Sequence, residues 1–156
     1  MNPSRHIHPQ REQYVHQLLT LGDERNRFLD AYFPDFGSKR TQTGKLLSSY
    51  TDGLQQLLAS PGEAWTSTVL IGSRVTVTYL EDGISDTFTI VFPDEADPEA
   101  YRVSFLSPVV QQLLLRKPGD VVAIETNLET LHVRIEHIHP AAEDYAIRNA
   151  EERLGS

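Results

Sequence analysis

No cysteine occurs among the 156 residues, which excludes disulfides, thiolate metal sites and thiol nucleophiles. That absence fits a reducing compartment, and a cytoplasmic protein is expected. The N-terminus, Met1-Asn2-Pro3-Ser4-Arg5-His6-Ile7-His8, lacks an apolar run of signal-peptide length. No segment approaches the roughly 20 apolar residues that a membrane-spanning helix needs, so no membrane association is expected. The chain also lacks G-x-S-x-G, a Walker loop and H-E-x-x-H. Catalysis by this chain alone, and a cofactor of its own, are therefore not expected.

Net positive charge is missing from the second half. Residues 1–65 carry 7 Lys or Arg against 7 Asp or Glu, whereas residues 66–156 carry 7 against 15. The whole net charge of −8 thus belongs to the C-terminal part. An acidic surface repels a phosphate backbone, so direct sequence-specific nucleic-acid binding is not expected and a protein partner is. The same acid also serves solubility.

Two helices are predicted at the N-terminal end. Between residues 10 and 33, Tyr14, Leu18, Leu21, Arg25, Phe28 and Tyr32 recur in alternating steps of four and three, the spacing of a coiled-coil seam. Gly22 is its weak point, at a cost of about 1 kcal/mol against alanine. Pro34-Asp35-Phe36-Gly37-Ser38 breaks this helix, and Leu47, Tyr50, Leu54 and Leu57 mark a second. Two helices of roughly 20 residues joined by a short breaker predict an antiparallel helical hairpin on the order of 30 Å long. Ser60-Pro61-Gly62-Glu63 ends it, so residues 1–63 form one unit. Trp65, just beyond, is expected to plug the joint between the hairpin and the second unit.

Residues 64–140 read as a small antiparallel sheet with one short helix. Val75-Thr76-Val77-Thr78-Tyr79 alternates apolar and polar, Glu81-Asp82-Gly83 makes a turn, and residues 87–92 return with Phe88, Ile90 and Phe92 on one face. Residues 101–105, 121–125 and 131–139 supply three more strands. Ser107 is placed to cap a helix over residues 109–115, with Pro108 at its first position. Lys117-Pro118-Gly119-Asp120 then forces a turn. Residues 141–156 suggest a short exposed helix or frayed tail. His6-x-His8 and His137-x-His139 are the two histidine pairs; with no third ligand apparent, and with Leu131, Val133 and Ile135 predicted on the same face as the second pair, no metal is expected.

One ordered set of motifs spans this second part: Ile71-Gly72-Ser73-Arg74-Val75-Thr76-Val77, the acidic Asp94-Glu95-Ala96-Asp97, Ser107-Pro108, Gly119-Asp120-Val121-Val122 and residues 131–138. In this order and at this spacing it resembles the C-terminal domain of the bacterial transcript-cleavage factors GreA and GreB, over about seventy residues. The resemblance implies an α+β protein with an FK506-binding-protein-like β domain behind a coiled coil. It implies RNA polymerase core enzyme as partner, with Asp94, Glu95, Asp97, Ser107 and Pro108 at the docking surface. The same five residues also have purely structural uses, as a helix start and a solvated loop.

In that family, acids at the coiled-coil tip help hold a second Mg²⁺ in the polymerase active site, a task for two close carboxylates. The tip here lacks the family's acidic run; Asp30 and Asp35 are its only acids, a helix break separates them, and Lys39-Arg40 adds positive charge. The expected function is binding at the polymerase secondary channel that modulates elongation without stimulating cleavage, as in the short-coil relatives such as the regulators of nucleoside diphosphate kinase. One alternative keeps cleavage stimulation through Asp30 and Asp35. Another, from fold analogy, is a peptidyl-prolyl isomerase, whose pocket would need Trp65, Tyr79, Phe88, Phe92 and Phe105 as lining rather than core.

Overall fold

A computed structural model describes residues 9–140, and the chain divides at Glu63/Ala64 into two units. The expected tail at 141–156 and the pair His6-x-His8 lie outside the described residues. Among the described residues, no helix is long and apolar enough to cross a membrane.

The first unit is helical: α1 (Pro9–Leu18), a π-helical turn (Leu19–Asp23), α2 (Arg25–Tyr32) and α3 (Ser38–Ala59). Its bonds run antiparallel along the helices. The Arg11 guanidinium donates to the Leu58 carbonyl, the Tyr50 hydroxyl to Gln17 Oε1, and Arg25 to Ser48 Oγ at 2.6 Å. Tyr14, Leu21, Phe28 and Leu29 are buried, as are Leu47, Tyr50, Leu54 and Leu58. Arg25 fits within the apolar stripe because it ties the Leu21 carbonyl to Ser48. Gly22 lies within the π turn, where the Glu24 N–H reaches back to the Leu19 carbonyl at 2.8 Å. The extra residue shifts the seam's phase beyond it, so Tyr32 stays exposed while Leu29 is buried; Gln17, ahead of the turn, is buried where it accepts from Tyr50.

The second unit is a five-stranded sheet in the order β3-β2-β1-β5-β4, with β1 (Arg74–Tyr79), β2 (Ile84–Val91), β3 (Arg102–Ser104), β4 (Val121–Glu125) and β5 (Thr130–His139). Gly83 at φ +74° closes the β1–β2 turn, where its N–H donates to the Tyr79 carbonyl. A wholly antiparallel sheet is expected from the sequence; β3 instead pairs parallel with β2. The loop between them carries the chain back through two 3₁₀ turns, Pro93–Glu95 and Pro98–Ala100, so β3 runs alongside β2 in the same sense.

The predicted seven-residue helix is also corrected. Only α4 (Pro108–Gln111) is helical, and Leu115 takes φ +70°. The cause is a pair of backbone bonds: the Leu115 N–H donates to the Val69 carbonyl and the Val69 N–H to the Arg116 carbonyl. These pull the chain out of helical geometry while leaving Val110, Leu113 and Leu114 buried. Phe105, Ile90, Ile124 and Ile135 are also buried in this unit. Trp65 is buried too, in a 3₁₀ turn (Ala64–Ser67) that packs against β5.

Candidate functional site

The acidic loop and Ser107-Pro108 bracket the edge strand β3. Three strand residues span on the order of 10 Å, so the two motifs sit at opposite ends of one short element. On entry, the Asp97 N–H donates to the Arg102 carbonyl and the Arg102 N–H to the Asp97 carbonyl, a reciprocal bridge that pins the loop. Arg102 also donates to Glu95 at 3.0 Å, while its buried Nε has no hydrogen-bond partner. Asp94, Asp97 and Glu99 are exposed, and among the described residues no cation pairs with them.

Tyr101, which closes this loop, takes φ 55°, ψ 39° and is 65% exposed. For a bulky side chain that left-handed conformation costs roughly 1–2 kcal/mol. Nothing in the local sequence announces it, because Ala100-Tyr101-Arg102 carries no glycine or asparagine.

At the other end the Ser107 hydroxyl makes no capping bond, contrary to expectation. Ser107 meets α4 through its backbone carbonyl, which accepts from the Gln111 N–H at 2.9 Å. The Gln111 amide turns back to the Leu106 carbonyl, and Ser104 Oγ accepts the Leu106 N–H, so the strand-to-helix corner is held without the Ser107 side chain. Pro108 occupies the first helical position, as predicted, and is exposed.

In the first unit Asp30 and Asp35 do not form a carboxylate pair. Arg40 takes Asp30 at 2.9 Å, donates to the Phe33 carbonyl, and stacks its guanidinium over the Phe36 ring at 4.3 Å. The Arg40 side chain is only 11% exposed, against 64% for Asp30, so the cation is built into the tip. At Asp35 it is the backbone that turns the chain, its carbonyl accepting the Gly37 N–H.

Histidine placement differs from expectation as well. A β-bulge at Thr76/Val77 shifts the register, pairing Val77 with Ile135 but Thr76 with His137. His137 and His139 are thereby exposed and leave the face that buries Val133 and Ile135. Among the described residues no group of three or more His, Asp or Glu is positioned for a metal ion. Trp65, Phe88 and Phe105 are core residues, with Phe92 half-buried and packed edge-on against Phe105.

His132 instead meets Glu81. Its backbone N–H donates to Glu81 Oε1 and its ring Nδ1 lies 2.8 Å from the same oxygen. Hydrogen bonds from His132, side chain first, hold the Glu81 carboxyl below its ordinary value of 4.5. A carboxylate lowered on folding adds stability that is full above the ordinary value and lost as pH falls through the folded one. Urea midpoints measured between pH 7 and pH 3 should therefore fall less steeply on the acid side in Glu81→Gln. An acid limb identical to wild type would show the pair to be without effect.

Residues 64–140 match the family described as transcription elongation factor, GreA/GreB, C-terminal. A GreA transcription elongation factor from Desulfovibrio desulfuricans is 47% identical over 57 residues, covering 36% of this chain and 35% of that protein. One from Thermomicrobium roseum is 42% identical over 80 residues, covering 51% and 50%. The chain thus spans about half the length, or less, of these curated relatives. Among solved structures, GreA factor homolog 1 of Thermus thermophilus aligns at 22% identity and TM-score 0.42, over 83% of this chain and 87% of that one. The GreA/GreB factor of Nitrosomonas europaea aligns at 26% and 0.44, over 57% and 78%. Over residues 64–140 the chain belongs to the GreA/GreB family of transcription elongation factors, as a bearer of its C-terminal domain.

Proposed function

We propose that this chain binds RNA polymerase core enzyme at the secondary channel and modulates elongation without stimulating transcript cleavage. The β domain, with Asp94, Glu95, Asp97, Ser107 and Pro108, forms the dock. The helical unit, as a short antiparallel coiled coil, enters or obstructs the channel. The family match over residues 64–140 supports the partner.

The observation that carries the second half is the Asp30–Arg40 ion pair. A second Mg²⁺ demands carboxylate oxygens at about 2.0–2.1 Å in near-octahedral order. Asp30 already has a largely buried guanidinium at 2.9 Å, and Asp35 lies beyond Pro34 with its side chain in solvent. The tip residues do not fit the metal. The test uses the full chain on backtracked elongation complexes. Core polymerase should retain the protein in a pull-down, while transcript cleavage stays at the polymerase's intrinsic rate, unchanged by Asp30→Ala or Asp35→Ala. Cleavage that appears with wild type and disappears with either alanine would restore the cleavage-stimulating alternative.

A further inference from the structure

We infer that Tyr101 is a contact residue of the dock, an aromatic platform for an arginine-bearing, basic protein surface. The inference rests on the polymerase-binding reading and names a residue that reading does not include. Three observations carry it. Tyr101 is 65% exposed in a unit where Trp65, Phe88 and Phe105 are all core. It holds a left-handed backbone that asparagine or glycine would adopt with less strain, so the backbone geometry does not call for a tyrosine there. It also closes the loop that bears Asp94, Asp97 and Glu99, three exposed carboxylates with no cation paired to them among the described residues. The reciprocal Asp97–Arg102 backbone bridge fixes where the ring leaves the chain.

Such a combination suits one kind of occupant. A guanidinium can lie over a tyrosine face while its N–H groups bond carboxylates, and this loop offers both kinds of group. Phosphate-bearing partners are disfavoured by the same acids. With only two side-chain torsions to fix, a tyrosine on a pinned backbone also loses little freedom on binding, a property of interface anchors.

The test compares the full-length wild type with Tyr101→Asn and Tyr101→Phe. Affinity for core RNA polymerase is measured by fluorescence anisotropy, and stability by urea unfolding followed through Trp65. Tyr101→Asn is expected to raise the unfolding midpoint yet weaken binding about tenfold or more. Tyr101→Phe keeps the ring and should bind within about twofold of wild type. The inference is overturned if Tyr101→Asn binds as wild type does, or if its midpoint falls together with its affinity, which would make the ring structural. Loss in Tyr101→Phe equal to that in Tyr101→Asn overturns the role given to the ring. A wild type that does not bind polymerase overturns the underlying reading itself, and is recognised without any variant.

Discussion

Phe105→Ala should cost the β unit about 3–5 kcal/mol, the usual loss for emptying a buried aromatic site. Phe105 is fully buried, and its ring meets Phe92 edge-on at a centroid distance of 5.7 Å. Its N–H donates to the Val91 carbonyl, so the residue joins the end of β3 to β2 and to the core at once. The cavity cannot close by sliding β3, because the Asp97–Arg102 bridge holds one end and α4 begins at the other. A small domain holds about 5–15 kcal/mol in total, towards the lower end for its size. The loss therefore takes most of the margin. Urea unfolding followed by Trp65, the only tryptophan and itself buried, should show a midpoint at half the wild-type value or less. Phe105→Leu, which keeps much of the volume, should lose far less. A stability within about 1 kcal/mol of wild type in the alanine variant would mean that this ring does not organise the unit.

How much of this is legible in the sequence depends on the range of the interaction involved. Alternation of Val75, Thr76 and Val77, and the run of residues 121–125, are local patterns, and the strands lie where those patterns fall. The seam positions Tyr14, Leu21, Phe28, Leu47, Tyr50 and Leu54 are local as well, and they are buried. Strand direction is not local. Nothing within Arg102–Ser104 says that it pairs parallel with β2, since the path of the preceding loop decides it. The short α4 has the same explanation, as its end is set by backbone bonds to Val69, some forty-six residues away in sequence. His137 departs from its expected face because a bulge adds one residue to the register, which alternation counting cannot anticipate.

At the candidate site the acidic and Ser-Pro motifs are visible in the sequence, but the local role of Ser107 is not. Ser before Pro at a helix start is a sound capping signal, yet here the side chain is left out and Gln111 braces the corner. Arg40 is visible only as charge near the tip. Its ion pair with Asp30, its bond to Phe33 and its stacking on Phe36 depend on how α2 and α3 converge. Tyr101 gives no signal at all, because no local pattern marks a tyrosine for the left-handed region.

The Ser107 hydroxyl, which makes no capping bond, is free to be replaced without loosening the corner. Under the proposed docking surface, Ser107→Glu combined with Pro108→Ala should weaken binding to core polymerase roughly a hundredfold or more. A carboxylate buried in a contact without a partner costs about 3–5 kcal/mol, and each 1.4 kcal/mol is tenfold in affinity. The fold should tolerate the change. Ser107 contributes to the corner only through its backbone, donating its N–H to the Ser104 carbonyl and accepting from the Gln111 N–H, and glutamate keeps both bonds. Alanine at position 108 accepts the first helical position, with Pro108's side chain already in solvent. Trp65 fluorescence should accordingly report a urea midpoint close to wild type. The added charge needs its own control, since the β unit is acidic throughout. Leu128→Glu introduces the same carboxylate at a residue 95% exposed in the β4–β5 turn, far along the sheet from the edge strand β3, and should leave affinity within about twofold. If the double variant is folded and binds as the wild type does, Ser107 and Pro108 are not part of the dock. If Leu128→Glu weakens binding as strongly as the double variant, the effect is one of net charge, and the contact at the start of α4 falls with it.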